Sequence, residues 1–121
     1  MNFFIYQTQE LQKFLRKSNN IEEALLITTI SAYKGNPRLK VLDSDTTVYR
    51  TWGGASVEVG HWTSPKNYGS VARKMLSLPP ENTAVNTSTF LISKGSTVLS
   101  GKAAALFGQP GGGIQWWIGL L

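Results

Sequence analysis

The sequence has 121 residues, of which 41% are hydrophobic and 16% charged, a composition that fits one globular domain and excludes an intrinsically disordered chain. It has no cysteine, which excludes a disulfide framework and thiolate metal sites. Its net charge of +5 comes from cations that stand singly or in pairs, such as Arg16-Lys17, so the charge favours a phosphate-bearing metabolite no less than nucleic acid.

The N-terminal third predicts helices, because apolar residues recur with helical spacing from Leu11 onward. The sequence Gly35-Asn36-Pro37 then predicts a turn. We therefore expect a helical N-terminal segment, residues 1–36, packed on a core formed by residues 37–121, the whole being one compact domain. No early cation and no long apolar run stands at the N-terminus, so the sequence shows no signal peptide and predicts no membrane span.

After residue 37 the pattern changes to short strands separated by turns. The predicted strands cover residues 46–52, 56–62, 87–92, 96–99 and 114–118, the last entered through a proline and three glycines. The two strands at 87–99 are expected to form a hairpin around Lys94-Gly95. Residues 68–78 have helical spacing, and Pro79-Pro80 ends that helix. The fold class is therefore α+β, with a small strand-rich core and a helical N-terminal extension.

The common hydrolytic machineries are missing. The single histidine, His61, and the absence of cysteine exclude the usual zinc sites, and we expect no metal. The chain contains no GxSxG nucleophile elbow, no GxxxxGK[ST] phosphate loop and no obvious pair of carboxylates.

Three features remain that can carry chemistry. The first is Arg50, which lies near the end of the predicted strand 46–52, just before Gly53-Gly54, where its guanidinium can hold two phosphate oxygens. The second is Arg73 on the predicted helix. Beside these features, Trp62 offers a flat ring. By position alone, a surface ion pair explains Arg50 better, a solvated helix face explains Arg73 better, and Trp62 fits a core residue as well as a stacking surface.

The third feature is the stretch that ends in Gln115. Residues 107–115 read FGQPGGGIQ, and glycines in such a run allow a close approach of the backbone to another group or form a tight hairpin turn. Three further landmarks precede it in order: YRTWGG at 49–54, GHWTSP at 60–65, and AR followed by LSLPPEN within 72–82.

Together these four landmarks resemble the tuberculosis necrotizing toxin family of NAD glycohydrolases, over roughly residues 46–118. The resemblance implies an ADP-ribosyltransferase-like core that hydrolyses NAD to nicotinamide and ADP-ribose with no metal or other cofactor. It also implies a toxin or effector that is secreted or delivered into the cytoplasm of a target cell, and a cognate immunity protein that protects the producer. NAD, with NADP as a second candidate, is the expected substrate, and neither nucleic acid nor membrane insertion is expected.

The resemblance also assigns the site. It implies Gln115, Arg50 and Arg73 as the catalytic residues, with the two arginines clamping the diphosphate. The substrate-binding residues expected around them are Tyr49, Trp62, Thr63, Phe107, Gln109 and Gly112. The family's functional histidine has no counterpart in residues 81–90, where Asn86 and Thr87 are the candidates to replace it.

Several functions stay open at this point. A neutral Gln cannot act as a general base, which favours water over a protein acceptor and hydrolysis over transfer. The alternatives are an ADP-ribosyltransferase that modifies a macromolecule, a non-enzymatic basic domain that binds nucleic acid, and a structural interaction module.

Overall fold

The computed structural model describes residues 29–119, which form a strand-rich domain with little helix. The strands within that range are β1 (Tyr33–Val41), β2 (Thr46–Gly54), β3 (Trp62–Thr63), β4 (Asn82–Ile92), β5 (Thr97–Ala103) and β6 (Ile114–Ile118). A 3-10 turn, Gly69–Val71, leads into the short helix α1, Ala72–Leu76. The predicted N-terminal helices lie almost entirely outside the described residues.

The strands form two antiparallel sheets, one of four strands in the order β1-β5-β6-β3 and one of two strands, β2-β4. Main-chain hydrogen bonds between Tyr49 and Ser64 join β2 to β3 and so connect the sheets. Successive side chains of β6 point to opposite faces: Trp117 packs with Tyr33 and Leu99 on one side. Trp116 on the other side packs in a second core cluster, whose members are Leu42, Val48, Ile92, Val98, Trp116 and Ile118.

The predicted turn at residues 35–37 is wrong, because this segment lies inside β1. The ladder between β1 and β5 breaks its register between Lys34 and Arg38, and this irregularity accommodates Gly35 and Pro37. Proline is tolerated here because β1 lies at the edge of the sheet. The predicted boundary between residues 36 and 37 therefore falls within a strand.

The predicted hairpin around Lys94-Gly95 is also wrong. Strand β4 pairs with β2, and β5 pairs with β1 and β6, so the turn carries the chain from one sheet to the other. The main chain of Leu42 at the end of β1 pairs with this turn, accepting a hydrogen bond from the Gly95 N–H and donating one to the Ser96 carbonyl. Competition from β1 for the same turn explains why no local hairpin forms.

Four of the five predicted strands and the helix are confirmed: residues 87–92 lie in β4 and residues 97–99 in β5, so only the ends of these strands shift. Residues 46–52 lie in β2 and residues 114–118 are β6, while the predicted helix at 68–78 is shorter than expected. Residues 56–61 are irregular instead of extended, and Val57 and Val59 are exposed. The reason is a side-chain contact: the Val57 carbonyl accepts hydrogen bonds from the guanidinium of Arg50 instead of pairing with a neighbouring strand.

Candidate active site

A cavity of about 520 Å³ lies between the two sheets, the C-terminal end of α1 and the loop that precedes the glycines, within the usual size range of small-molecule sites. Six of the nine residues assigned to the site from the sequence line it: Tyr49, Arg50, Trp62, Thr63, Phe107 and Gln115. These residues are up to 66 positions apart in the chain, and the fold brings them together at one place.

Gln115 forms one wall of the cavity. Its side chain is only 6% exposed, and its Nε2 donates a hydrogen bond of 2.8 Å to the Ala32 carbonyl. Because a carbonyl can only accept, this bond fixes which end of the amide carries nitrogen. Within residues 29–119 the other end, Oε1, receives no hydrogen bond, so an acceptor atom is available at the cavity wall.

The glycine turn, residues 111–113, determines where Gln115 lies. The N–H groups of Gly111 and Gly113 donate to the carbonyls of Lys74 and Met75 at the end of α1, and Gly112 donates to Ala103. A Cβ at Gly111 would lie 2.5 Å from the Ala104 carbonyl oxygen, and a Cβ at Gly113 would lie 2.7 Å from that of Met75. Gly111 and Gly113 are therefore needed for close packing against the protein's own backbone.

Arg50 forms the opposite wall and is 8% exposed. Its guanidinium donates four hydrogen bonds to protein groups: two to the Val57 carbonyl, one to the Trp62 carbonyl and one to Ser56 Oγ. A guanidinium has five N–H donors, so one N–H, on Nη1, is left for a ligand. The sequence-based expectation of a two-pronged phosphate grip by Arg50 does not fit this arrangement.

The environment of Arg50 is tightly built. Gly60 packs against the guanidinium so closely that a Cβ there would lie 2.6 Å from Cζ. Burial lowers the pKa of Arg50, although a guanidinium keeps its charge at physiological pH. Of the described residues that line the cavity, Arg50 alone is charged, so the site favours a ligand with negative charge.

Arg73 does not line the cavity, so the structure does not bring it together with Arg50, as the sequence-based expectation had it. Its guanidinium donates to the carbonyls of Pro79 and Asn82. Pro79 and Asn82 themselves line the cavity, so Arg73 supports the wall from behind.

Several other sequence-based candidates lie away from the cavity. Gln109 and Gly112 lie outside the cavity lining, as do the exposed Asn86 and Thr87 on β4. His61 is outside as well: its Nδ1–H donates to the Ile118 carbonyl, and its ring stacks on Trp117 at 4.9 Å. Within the described residues no imidazole reaches the cavity.

Three aromatic side chains meet at the cavity. Tyr49 and Trp62 are half-buried, and Trp62 also contacts Tyr33 with ring centroids 5.6 Å apart. Phe107 is 55% exposed at the mouth, with a backbone φ of 54°. Thr63 contributes less chemistry than expected, because its hydroxyl is buried and donates to the Trp116 carbonyl.

Ser77 and Asn82 are among the polar lining residues that the sequence analysis missed. Ser77 directly follows α1 with a φ of 49°, and its hydroxyl donates to the Ala104 carbonyl. Asn82 is buried, with Nδ2 donating to the Thr51 carbonyl and Oδ1 accepting from the Ala84 N–H. Both stand within the LSLPPEN landmark, which was the only hint in the sequence.

The described part of the chain offers little for other ligands. Residues 29–119 contain no group of three or more His, Cys, Asp or Glu side chains that could hold a metal ion. No helix in the same range is both long and apolar enough to cross a bilayer.

Comparisons with solved structures show which known folds the chain resembles. The structure of Tse6, solved in complex with Tsi6, superposes with a TM-score of 0.67 at 17% identity, covering 97% of this chain and 91% of that one. The structure of Tne2, solved in complex with Tni2, gives a TM-score of 0.60 at 17% identity over 71% and 83% of the two chains. The chain therefore shares their fold.

No curated protein sequence matches the chain. Residues 41–119 match the tuberculosis necrotizing toxin family, and the chain belongs to that family of toxin domains. The resemblance found from the four sequence landmarks is thereby confirmed.

Proposed function

We propose that this domain is an NAD glycohydrolase that cleaves the bond between nicotinamide and ribose. The observation that carries the proposal is the Gln115 amide, anchored through Nε2 to Ala32 at the wall of a cavity that it shares with the Arg50 cation. Family membership supports the reaction type, and an ADP-ribosyltransferase-like core is the architecture that we propose for it.

The reaction needs little from the protein except positioning and a favourable field. The bond between C1′ and the nicotinamide nitrogen breaks, and its electron pair leaves with nicotinamide, which becomes neutral. Positive charge develops on the ribose ring, where the partial negative charge of Gln115 Oε1 stabilises it. A water oxygen bonds to C1′ and releases a proton to solvent, giving ADP-ribose.

The remaining wall residues bind the substrate. Arg50 attracts the diphosphate through its charge and its one available N–H. Trp62 and Phe107 offer ring faces for nicotinamide or adenine, with Tyr49 beside them. Because no described carboxylate or imidazole lines the cavity, no side chain there is suited to activate a protein acceptor, which supports water as the nucleophile.

Two biological proposals follow from this reaction. NAD hydrolysis inside the producing cell would deplete its own NAD, so a cognate immunity protein is required. The solved complexes of Tse6 with Tsi6 and of Tne2 with Tni2 support a dedicated protein partner. We also propose that the domain is delivered into the cytoplasm of a target cell, where NAD is available.

The decisive experiment compares Gln115→Ala with Gln109→Ala, two glutamines of one loop and strand of which only the first lines the cavity. With labelled NAD, we expect Gln115→Ala to lower kcat by about 10²–10³-fold, the effect of losing one preorganised polar group. Gln109→Ala should retain wild-type turnover. NADP is assayed in parallel, and circular dichroism checks that both variants are folded.

The same assay separates the rival functions. Free ADP-ribose supports hydrolysis, whereas label on a protein or nucleic acid supports transfer. A nucleic-acid-binding domain predicts salt-sensitive retention on DNA or RNA without NAD loss. The structure gives little support for that rival, because all four Trp side chains are buried or half-buried and so offer few exposed rings for bases to stack on. Normal turnover by folded Gln115→Ala protein would refute the mechanism.

A further inference from the structure

The outer edge of β4 is an open strand edge. The sheet formed by β2 and β4 has two strands, and β2 uses its far side to bind Ser64 through the N–H and carbonyl of Tyr49. Main-chain groups alternate in direction along a strand, so Val48 and Arg50 direct theirs toward β4. Thr89, opposite Tyr49 in the ladder, therefore directs its N–H and carbonyl away from β2.

The same alternation places the main-chain groups of Thr87 and Leu91 on the open edge. Within residues 29–119 no other strand or loop is paired with these groups. A strand edge of this kind is a ready template for another strand.

Over residues 86–92 this edge lacks the features that usually prevent pairing. The ladder with β2 shifts register only between Asn82 and Asn86, where Ala84 has a φ of 58°. Strand β4 is 11 residues long and its sequence, NTAVNTSTFLI, contains no charge and no proline. The edge strand of the other sheet, β1, differs: it contains Pro37, a register break and the exposed cations Lys34, Arg38 and Lys40. Residues 86–92 of β4 are therefore the less protected of the two edges.

The side chains along the open edge complement a second copy of themselves. If two β4 strands pair antiparallel about a two-fold axis at Ser88, Thr87 lies opposite Thr89 of the other copy, and Val85 lies opposite Leu91. Val85 and Leu91 are 75% and 69% exposed, the two largest exposures among the large apolar side chains of β4. This register buries each against the other and pairs hydroxyl with hydroxyl.

The charges near β4 do not select a register. The exposed Glu81 directly precedes the strand, and the exposed Lys94 lies two residues after its end, so both lie outside the regular stretch 86–92. The charge nearest the axis is Glu58, whose carboxylate accepts a hydrogen bond from Ser88 Oγ. The net charge of +5 opposes association, but separated surface charges are largely screened at physiological ionic strength.

We infer that two copies of this chain associate through antiparallel pairing of their β4 strands, extending the β2-β4 sheet across a two-fold axis. The interface is a short strand pair with two apolar contacts, so the dimer dissociates on dilution. The inference does not depend on the proposed NAD hydrolysis, and association is measured without NAD.

The first test is sedimentation of the purified chain from low micromolar to several hundred micromolar concentration. We expect a reversible monomer–dimer equilibrium. Thr89→Pro removes an N–H that is not in the β2-β4 ladder, and two such bonds are lost per dimer, so the association constant should fall about thirtyfold. Thr89→Lys should also weaken association, whereas Thr47→Lys, on the neighbouring strand β2, adds the same charge away from the edge and should not.

The second test addresses the register. Val85→Glu and Leu91→Lys should each weaken the dimer, and the double variant should recover it, because the new carboxylate of each copy then faces the new ammonium group of the other. Circular dichroism and thermal melting establish that each variant is folded. A wild-type chain that stays monomeric over the whole range, or a dimer that is insensitive to both Thr89 substitutions, would overturn the inference.

Discussion

The two walls of the cavity use their polar side chains in opposite ways. Among residues 29–119, the Gln115 side chain makes one hydrogen bond and has a free acceptor atom, whereas the Arg50 guanidinium makes four and has one donor left. Both stand in landmarks of the same family, so a sequence motif alone would give them the same status. Their hydrogen bonds distinguish them. We assign Gln115 a role in the reaction, whereas Arg50 holds the structure of its wall together and supplies positive charge to the cavity.

The largest effect that would test this contrast is expected from Arg50→Lys. Lysine keeps the charge but cannot reach the Val57 and Trp62 carbonyls and Ser56 Oγ together, so buried acceptors are left without donors. We expect the free energy of unfolding to fall by about 3 kcal/mol and NAD turnover to be lost as residues 56–62 move. Urea unfolding, read beside the NAD assay, measures both.

Two comparisons make this result interpretable. Arg38→Lys, at an exposed position of β1, should leave stability unchanged. Gln115→Ala removes one hydrogen bond and should lower stability by about 1 kcal/mol while it lowers turnover far more. If Arg50→Lys instead had wild-type stability and lost only NAD binding, the guanidinium would be mainly a ligand group and the contrast between the walls would be wrong.

A smaller difference in turnover is expected between alanine substitutions at two adjacent glycines that precede Gln115. Gly111 and Gly112 both have positive φ, at 68° and 91°, so alanine costs about 1–2 kcal/mol of backbone strain at either position. Only at Gly111 does the added Cβ also collide with the Ala103 and Ala104 carbonyls. Gly111→Ala should lift the turn from α1, and a displacement of about 1 Å at Gln115 can cost 10²-fold in rate.

Gly112→Ala should keep most of the activity, since its Cβ meets no atom within 4 Å. Turnover of the two variants, normalised to the folded fraction from thermal melts, gives the comparison. Equal losses would mean that contact between the glycines and a ligand matters more than their packing on the helix end.

The elements that the sequence predicted well are those that depend on local pattern. β-Branched and aromatic residues identified β2, and the apolar run after the glycines identified β6. The wrong turn and the wrong hairpin both involve partners that are distant in the chain. Pro37 is accommodated because β1 lies at a sheet edge. Strands β4 and β5 do not pair with each other, because β4 pairs with β2 and β5 pairs with β6. Neither choice is visible in a window of neighbouring residues.

In the site, too, local motifs could be predicted from the sequence, whereas the contacts between residues could not. The landmarks located Gln115 and Arg50, yet the partners of Arg50 include the main-chain carbonyls of Val57 and Trp62. Any residue type supplies a carbonyl, so the sequence contains no mark of this network. The contacts of Arg73 could not be predicted for the same reason, because its partners are the carbonyls of Pro79 and Asn82.

The smallest effect that we predict is at Arg73. Because its guanidinium supports residues 79–82 from outside the cavity, Arg73→Lys should loosen that wall and raise KM for NAD about three- to tenfold, the value of one partly buried hydrogen bond, with kcat nearly unchanged. Lysine keeps the charge, so a purely electrostatic clamp on the diphosphate would be largely preserved in this variant.

The salt dependence of kcat/KM distinguishes the two roles of Arg73. If the residue only holds two carbonyls, Arg73→Lys and Arg73→Gln should raise KM alike, and the fractional loss of kcat/KM between low and high salt should equal that of the wild type. If the residue contacts the diphosphate, Arg73→Gln should be much the worse variant and should flatten the salt dependence, because one cation–phosphate attraction is gone. In that case Arg73 would turn into the cavity when NAD binds, and both walls would then present a cation to the substrate.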